Sequence, residues 1–190
     1  MGWKKNLSIY LTLILLLLLT SYLAYPVRML EVRNLSKGRL ILSIPVSPGE
    51  TFTVSFIHSL ERTPVKDLFI VQEDNRLRIF ESHFKSCYSA HYSDGGILIK
   101  EGGWFIMKNI TRPAMDKLLL IVASINNYTI STAGFNVSLN LHSDDGDLVE
   151  IKVIVRPALF HIFSHQKVLT LRCMMHGEPN ISQYLNTLKV

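Results

Sequence analysis

From Pro26 onward, hydrophobic and polar residues alternate in short runs, and Gly, Pro, Asn and Asp interrupt the runs about every ten residues. Successive side chains of a strand point to opposite faces, so this alternation indicates strands with one buried face. The predicted strands are Arg28–Arg33, Arg39–Ile44, Thr51–His58, Val65–Glu73, Arg76–His83, Ile97–Lys100, Trp104–Lys108, Leu118–Ala123, Tyr128–Thr132, Phe135–Leu139 and Leu148–Val155. The pattern predicts an all-β domain over residues 27–156, either an antiparallel β-sandwich or a barrel.

The N-terminus has a different pattern. Leu7 to Tyr25 is a run of 19 residues without a charge, preceded by Lys4 and Lys5. A helix needs about 20 apolar residues to cross a bilayer. The alternative is a cleaved signal peptide, but the bulky residues around Ala24 make a poor cleavage site. We therefore predict that residues 1–26 form an uncleaved single-pass anchor in the cell membrane. The two lysines would be cytoplasmic and the β domain extracellular.

The C-terminus also departs from the alternating pattern. Residues 157–190 form an extension that begins as either a helix or a further strand. Its last part, Ile181–Leu188, has the spacing of a short amphipathic helix. The apolar groups of this segment would pack on the β domain or on a partner.

Charge excludes one class of partner. The chain has 20 Lys and Arg against 15 Asp and Glu, a net charge of +5. Two of the basic residues are Lys4 and Lys5, and the rest form no cluster. Nucleic-acid-binding surfaces concentrate Lys and Arg, so the sequence does not imply a nucleic-acid partner.

Polar side chains are concentrated where one predicted strand ends. After the alternating run that ends in Ile57, the sequence continues His58-Ser59-Leu60-Glu61-Arg62-Thr63-Pro64 before it becomes apolar again, with Asp67 shortly after. Pro64 lacks an amide donor and favours an extended Thr63. The segment is either a hydrogen-bonded structural corner or a docking site with exposed charges. We expect Ser59 and Glu61 on one face, His58 on the other, and a docking role.

Metal and cofactor sites are not indicated. Of the seven histidines, His161 and His165 have helical spacing but no third ligand near them in the sequence. The segment Ser143–Asp147 lacks the order of acidic residues that a calcium loop requires. A tight turn is the simpler interpretation.

Nucleophilic catalysis would need a Cys or Ser held against a base. The stretch Thr170–Cys173 faintly resembles the active-site stretch of sortases, the surface transpeptidases, but Arg172 stands where a Thr is expected before the cysteine. A surface enzyme, sortase-like or another hydrolase, is therefore the alternative to a non-enzymatic binding protein.

Two covalent modifications are consistent with an extracellular domain. Cys87 and Cys173 could form one disulfide that ties the extension to the β domain. Outside the predicted anchor, the pattern Asn-x-Ser/Thr occurs at Asn34, Asn109, Asn127, Asn136 and Asn180. We expect glycosylation at one or more of these positions.

A family resemblance appears in the segment Phe52–Val71, "FTVSFIHSLERTPVKDLFIV". It resembles the signature of the DUF1850 family of domains of unknown function, in which H-S-[VL]-E-x-[ST]-P-V follows an aromatic strand. Later segments are similar to the family as well: Phe80–Ser86, Gly102–Asn109 and Gly146–Val153. The resemblance covers about residues 28 to 155, and only the first motif is specific.

The resemblance implies a role in transport. Proteins of this family often accompany the fused permease of TAXI-type TRAP transporters, which take up organic anions. It therefore implies that this chain is an accessory interaction or ligand-binding protein of such a transporter, with no cofactor and no known reaction. The matching residues are His58, Ser59, Glu61, Thr63 and Pro64, with Asp67 near the family's acidic position.

Overall fold

The computed structural model describes residues 2–86, 95–132 and 134–159, with side chains from residue 9 onward. The first element is helix α1, Gly2–Ala24. Among these described residues, no helix combines the length and the apolarity that crossing a membrane requires. Cys87, Cys173, Asn180 and nearly all of the predicted extension lie outside the described residues.

The domain after α1 consists of antiparallel strands, so the prediction of an all-β fold is confirmed. Each predicted strand is present, within a few residues of the predicted bounds. The strands are β1 (Pro26–Asn34), β2 (Arg39–Pro45), β3 (Thr51–Ile57), β4 (Pro64–Val71), β5 (Leu77–Phe84), β6 (Ile97–Glu101), β7 (Trp104–Lys108), β8 (Leu118–Ile121), β9 (Thr129–Thr132), β10 (Phe135–Ser138) and β11 (Leu148–Pro157). A short 3₁₀ helix, Leu139–Leu141, follows β10.

The strands form two sheets. The smaller sheet has the order β2-β1-β11-β8, and the larger has the order β10-β9-β3-β4-β5-β7-β6. In the smaller sheet, β1 pairs with β11 over its whole length, from Pro26 opposite Pro157 to Asn34 opposite Val149. The larger sheet is centred on the β3–β4 and β4–β5 hairpins. The chain thus begins and ends its β domain in the same sheet.

A single hydrophobic core joins the inner faces of the two sheets. Leu30 and Val32 of β1 contribute from the smaller sheet, and Phe52 and Val54 of β3 from the larger. On β4 the inward positions are Val65, Asp67, Phe69 and Val71, all buried. Asp67 is therefore a carboxylate in an otherwise apolar series, and it needs hydrogen-bonding partners to be tolerated there.

Candidate functional site

The polar segment predicted from the sequence is the loop of the β3–β4 hairpin. We call residues His58–Thr63 the β3–β4 loop. Strand β3 ends at Ile57, opposite Pro64 at the start of β4. The sequence pattern placed the end of this strand one residue later, at His58. The alternation of faces thus stops at Ile57, so Ser59 and Glu61 lie in a turn.

Backbone hydrogen bonds close this loop. The His58 amide donates to the Thr63 carbonyl at 2.8 Å, and the Arg62 amide donates to the His58 carbonyl, also at 2.8 Å. The second bond spans four residues, which is the geometry of an α-turn. Arg62 itself takes a left-handed conformation, with φ of 54°. The histidine ring also stabilises the turn, because its Nδ1 accepts from the Glu61 amide at 3.3 Å.

Neighbouring segments hold the loop in place. The Ile57 amide donates to the Asn126 carbonyl at 2.7 Å, and Asn126 Nδ2 donates back to the Ile57 carbonyl at 2.8 Å. Glu61 Oε2 accepts from the hydroxyl of Ser86 at 2.8 Å. Within the described residues, the buried Thr63 hydroxyl has no hydrogen-bond partner. The loop is therefore a fixed surface feature, bonded to segments before β9 and after β5.

An apolar side chain lies at the tip of this loop. Leu60 is 86% exposed, and its neighbours Ser59 and Arg62 are exposed as well. Full exposure of a leucine forfeits about 1.5–3 kcal/mol of burial free energy. A single exposed leucine is common on protein surfaces, but this one stands on a hydrogen-bonded loop between exposed polar residues. The sequence pattern points to the polar residues of the loop, and nothing in it distinguishes Leu60 as exposed.

Asp67, the last residue of the predicted motif, faces away from the loop. Its carboxylate Oδ1 accepts from Ser82 Oγ on β5 at 2.6 Å, and both side chains are buried. The structure therefore brings His58, Glu61, Arg62 and Thr63 together and places Asp67 elsewhere, between the sheets. Its alternation with Val65, Phe69 and Val71 is the sequence signal that predicts this orientation.

One known protein family matches the part of the chain that contains this loop. Residues 52–139 match the family described as Domain of unknown function (DUF1850). The DUF1850 match begins in β3, ends at the start of the 3₁₀ helix and includes the β3–β4 loop and Asp67. Strands β1, β2 and β11 lie outside it, as does the segment Gly146–Val153 that we also found similar. No curated protein and no solved structure matches the chain.

The predicted glycosylation positions differ in accessibility. Asn109, Asn127 and Asn136 are exposed, and the first two occupy left-handed backbone conformations at the ends of loops. Asn34 is fully buried: its Nδ2 donates to Asp147 Oδ2 at 2.7 Å and to Ser143 Oγ at 3.0 Å. A glycan would be attached to this same nitrogen, so among the four predicted positions that the structure describes, glycosylation is sterically favoured at the three exposed ones.

Asn34 instead belongs to a turn network that joins β1 to the loop before β11. Its hydrogen bond to Asp147 is the main reason that the pKa of this carboxyl lies below its usual value. Lys37 Nζ is 2.7 Å from Asp144 Oδ2 and 3.4 Å from Asp147 Oδ2. This arrangement fits the prediction of a tight turn at Ser143–Asp147.

The described residues offer no group of three or more His, Cys, Asp and Glu side chains that could hold a metal ion.

Of the side chains that a nucleophilic mechanism could use, Ser59 is exposed, and the Nδ1 of the neighbouring His58 accepts from the Glu61 amide. Cys173, the cysteine of the sortase-like stretch, lies outside the described part of the chain, as does Cys87, its partner in the predicted disulfide.

Proposed function

We propose that this protein is a membrane-anchored, extracytoplasmic binding module whose β3–β4 loop docks on the permease of a TAXI-type TRAP transporter. The exposed Leu60, on a loop fixed by hydrogen bonds, is the observation that carries the docking proposal. The class of partner comes from the resemblance of the His58–Pro64 motif to DUF1850 proteins. The same proposal assigns no catalytic role to the loop.

The anchoring part of the proposal is supported by the composition of α1. Its sequence has no charge from Leu7 to Ala24. The large apolar side chains between Ile9 and Leu19 are 52–68% exposed, so the β domain does not cover them. Contiguous apolar surface of this extent is costly in water and is stabilised by lipid or by another apolar surface.

The docking part is supported by the order of the loop. Binding costs less conformational entropy when the contacting segment already has its bound shape. The α-turn at Arg62, the Asn126 contacts to Ile57 and the Ser86 bond to Glu61 all restrict the β3–β4 loop. An apolar tip with charged neighbours resembles the arrangement of an interface anchor and its polar rim.

The test is co-purification of the full chain with a co-expressed TAXI-type TRAP permease from detergent-solubilised membranes. We expect Leu60→Ser to reduce the recovered complex about tenfold or more, since a buried apolar anchor contributes about 2 kcal/mol or more to binding. Glu61→Gln should weaken the complex less, because Gln can still accept from Ser86. Thermal melts of each variant should change little.

The matched control is Leu141→Ser. Leu141 is 77% exposed, on the 3₁₀ helix outside the β3–β4 loop, so the same chemical change is made away from the proposed contact. Recovery of the complex with this variant should equal the wild type. Equal recovery with Leu60→Ser would show that the loop is architecture and not the docking site.

A further inference from the structure

A second feature of the molecule lies between the two sheets. A partly open cavity of about 200 Å³ is bounded by β3, β4 and β5 of the larger sheet and by β8 of the smaller one. The segment between β7 and β8 completes its wall together with Tyr128, the residue before β9. Core cavities of this size are uncommon because protein interiors are close-packed. The cavity therefore needs a physical explanation.

The walls are mostly apolar. Val54, Phe56 and Ile79 contribute from the larger sheet, and Leu118 and Leu120 from β8. The ring centroids of Phe56 and Tyr128 are 5.3 Å apart, which places two aromatic rings side by side in the wall. An apolar cavity of about 150 Å³ accommodates a benzene molecule. The present cavity thus has room for a ring or branched chain with a few further atoms.

Three polar side chains interrupt the apolar lining: Asp67, Arg112 and Tyr128. Burial, together with the negative charge of Asp67, raises the pKa of Tyr128, so its hydroxyl keeps its proton at neutral pH. The lining then contains one carboxylate, one guanidinium and one neutral hydroxyl. One acidic and one basic side chain give the lining a formal charge of zero, together with polar groups that could orient a ligand.

The formal charge of the lining determines which class of ligand binds with the smallest loss of hydration free energy. A ligand with a net charge would lose its hydration and add one charge to a mostly apolar lining whose formal charge is zero. An uncharged ligand avoids this cost and can still hydrogen-bond to the carboxylate, the guanidinium or the phenol. Pockets with apolar walls and a few convergent polar groups are typical of small-molecule sites.

We infer that this cavity is a binding site for a small uncharged molecule with an aromatic or branched aliphatic body and one hydroxyl or amide group. The site is separate from the β3–β4 loop and does not depend on the docking proposal. Its polar groups come from three places in the chain, β4, the β7–β8 connection and the residue before β9. Only Asp67 belongs to the motif that the sequence suggested.

The first measurement compares three probes of similar size: benzyl alcohol, benzoate and benzylammonium. Each is titrated into the purified full chain in mild detergent and followed by ligand-observed NMR at neutral pH. We expect benzyl alcohol to bind about tenfold more tightly than either ion. Preferential binding of either ion to the wild type would overturn the inference, as would no binding of benzyl alcohol.

Two substitutions test the role of the charges. Asp67→Asn leaves Arg112 as the one charged side chain of the cavity lining and should shift the preference toward benzoate. Arg112→Gln leaves Asp67 and should shift it toward benzylammonium. A thermal melt of each variant first establishes that it is folded. Folded variants whose order of preference is unchanged would contradict the charge argument.

Filling the cavity tests its location with a matched pair. Leu120→Phe adds volume to the β8 wall and should abolish binding of all three probes. Leu119→Phe makes the same change on the adjacent residue, which is 45% exposed on the opposite face of β8, and should leave binding unchanged. A thermal melt of each variant establishes that it is folded before binding is measured. Binding that survives Leu120→Phe would place the probes elsewhere and overturn the inference.

Discussion

Arg62 adopts a left-handed backbone conformation, with φ of 54°, at the end of the β3–β4 loop. In this region the Cβ of an L-residue approaches the following carbonyl oxygen, which costs about 1–2 kcal/mol, and β-branched residues are the least tolerated. The conformation directs the chain after Arg62 so that the Thr63 carbonyl can accept from the His58 amide at 2.8 Å. The loop thus stores a small strain at one residue.

We expect Arg62→Val to lower the free energy of unfolding by about 1–2 kcal/mol, while Arg62→Gly leaves it unchanged or raises it, since glycine has no Cβ to strain. Thermal melts of the full chain measure both. The control is Ser59→Val, in the same loop but outside the left-handed region, which should change the midpoint little. Equal midpoints for the Val and Gly variants at Arg62 would show that its conformation is not strained.

Single residues also show the limit of the sequence analysis. The inward orientation of Asp67 could be predicted, because it occupies an alternate position in a series of buried residues. The cavity could not, because Arg112 lies in no predicted strand, and the fold alone brings Arg112 and Tyr128 into the same cavity lining as Asp67. The exposure of Leu60 could not be predicted either. Its six neighbours from His58 to Pro64 are polar or turn residues, and such a sequence does not indicate whether the leucine among them is buried.

Strands such as β4 were predictable because one face is buried, so apolar residues recur along them with a period of two. Their partners were not. Nothing in the alternation of β1 indicates that it pairs with β11, more than a hundred residues away, or that β8 joins the smaller sheet. The end of β3 at Ile57 also depends on tertiary contacts, since both backbone groups of this residue bond to Asn126.

Strand β11 contains a buried carboxylate whose charge should make stability depend on pH. Glu150 Oε2 is 2.6 Å from Lys152 Nζ, and its Oε1 is 3.6 Å from Lys117 Nζ. The hydrogen bond from Lys152 lowers the pKa of Glu150 below its usual value of 4.5. A depressed folded-state pKa gives a stabilisation that is complete above the unfolded pKa and is lost as the pH falls through the folded pKa.

We expect Glu150→Gln to cost about 1 kcal/mol at neutral pH, because the partly exposed lysines can be solvated once the carboxylate is gone. The difference in melting temperature from the wild type should shrink as the pH falls below about 4.5 and through the depressed folded-state pKa of Glu150, because protonation removes the charge that the Gln variant lacks. Glu101→Gln, at an exposed position of β6, is the control, with a small difference at every pH. A difference at Glu150 that does not change with pH would contradict the assignment.

At the scale of the whole molecule, anchoring by α1 requires that the helix stays attached to the β domain. We expect mass spectrometry of the mature chain, extracted from membranes, to give a mass that includes residues 1–26, because the residues around Ala24 do not suit signal peptidase. A mature N-terminus near Tyr25 would contradict the anchor. The control is the cytosolic fraction of the same cells, which should contain little of the protein.

The pairing of β1 with β11 also determines how the molecule would respond to a pull. The carbonyl of Tyr25 accepts from the Ala158 amide at 2.8 Å, so the chain enters from α1 and leaves toward residue 160 at the same end of the smaller sheet. Tension between these two points would separate β1 from β11 one residue pair at a time. The nine residue pairs from Pro26 to Asn34 would open in turn, starting beside α1. The larger sheet, including the β3–β4 loop, would carry no load until β1 and β11 had separated.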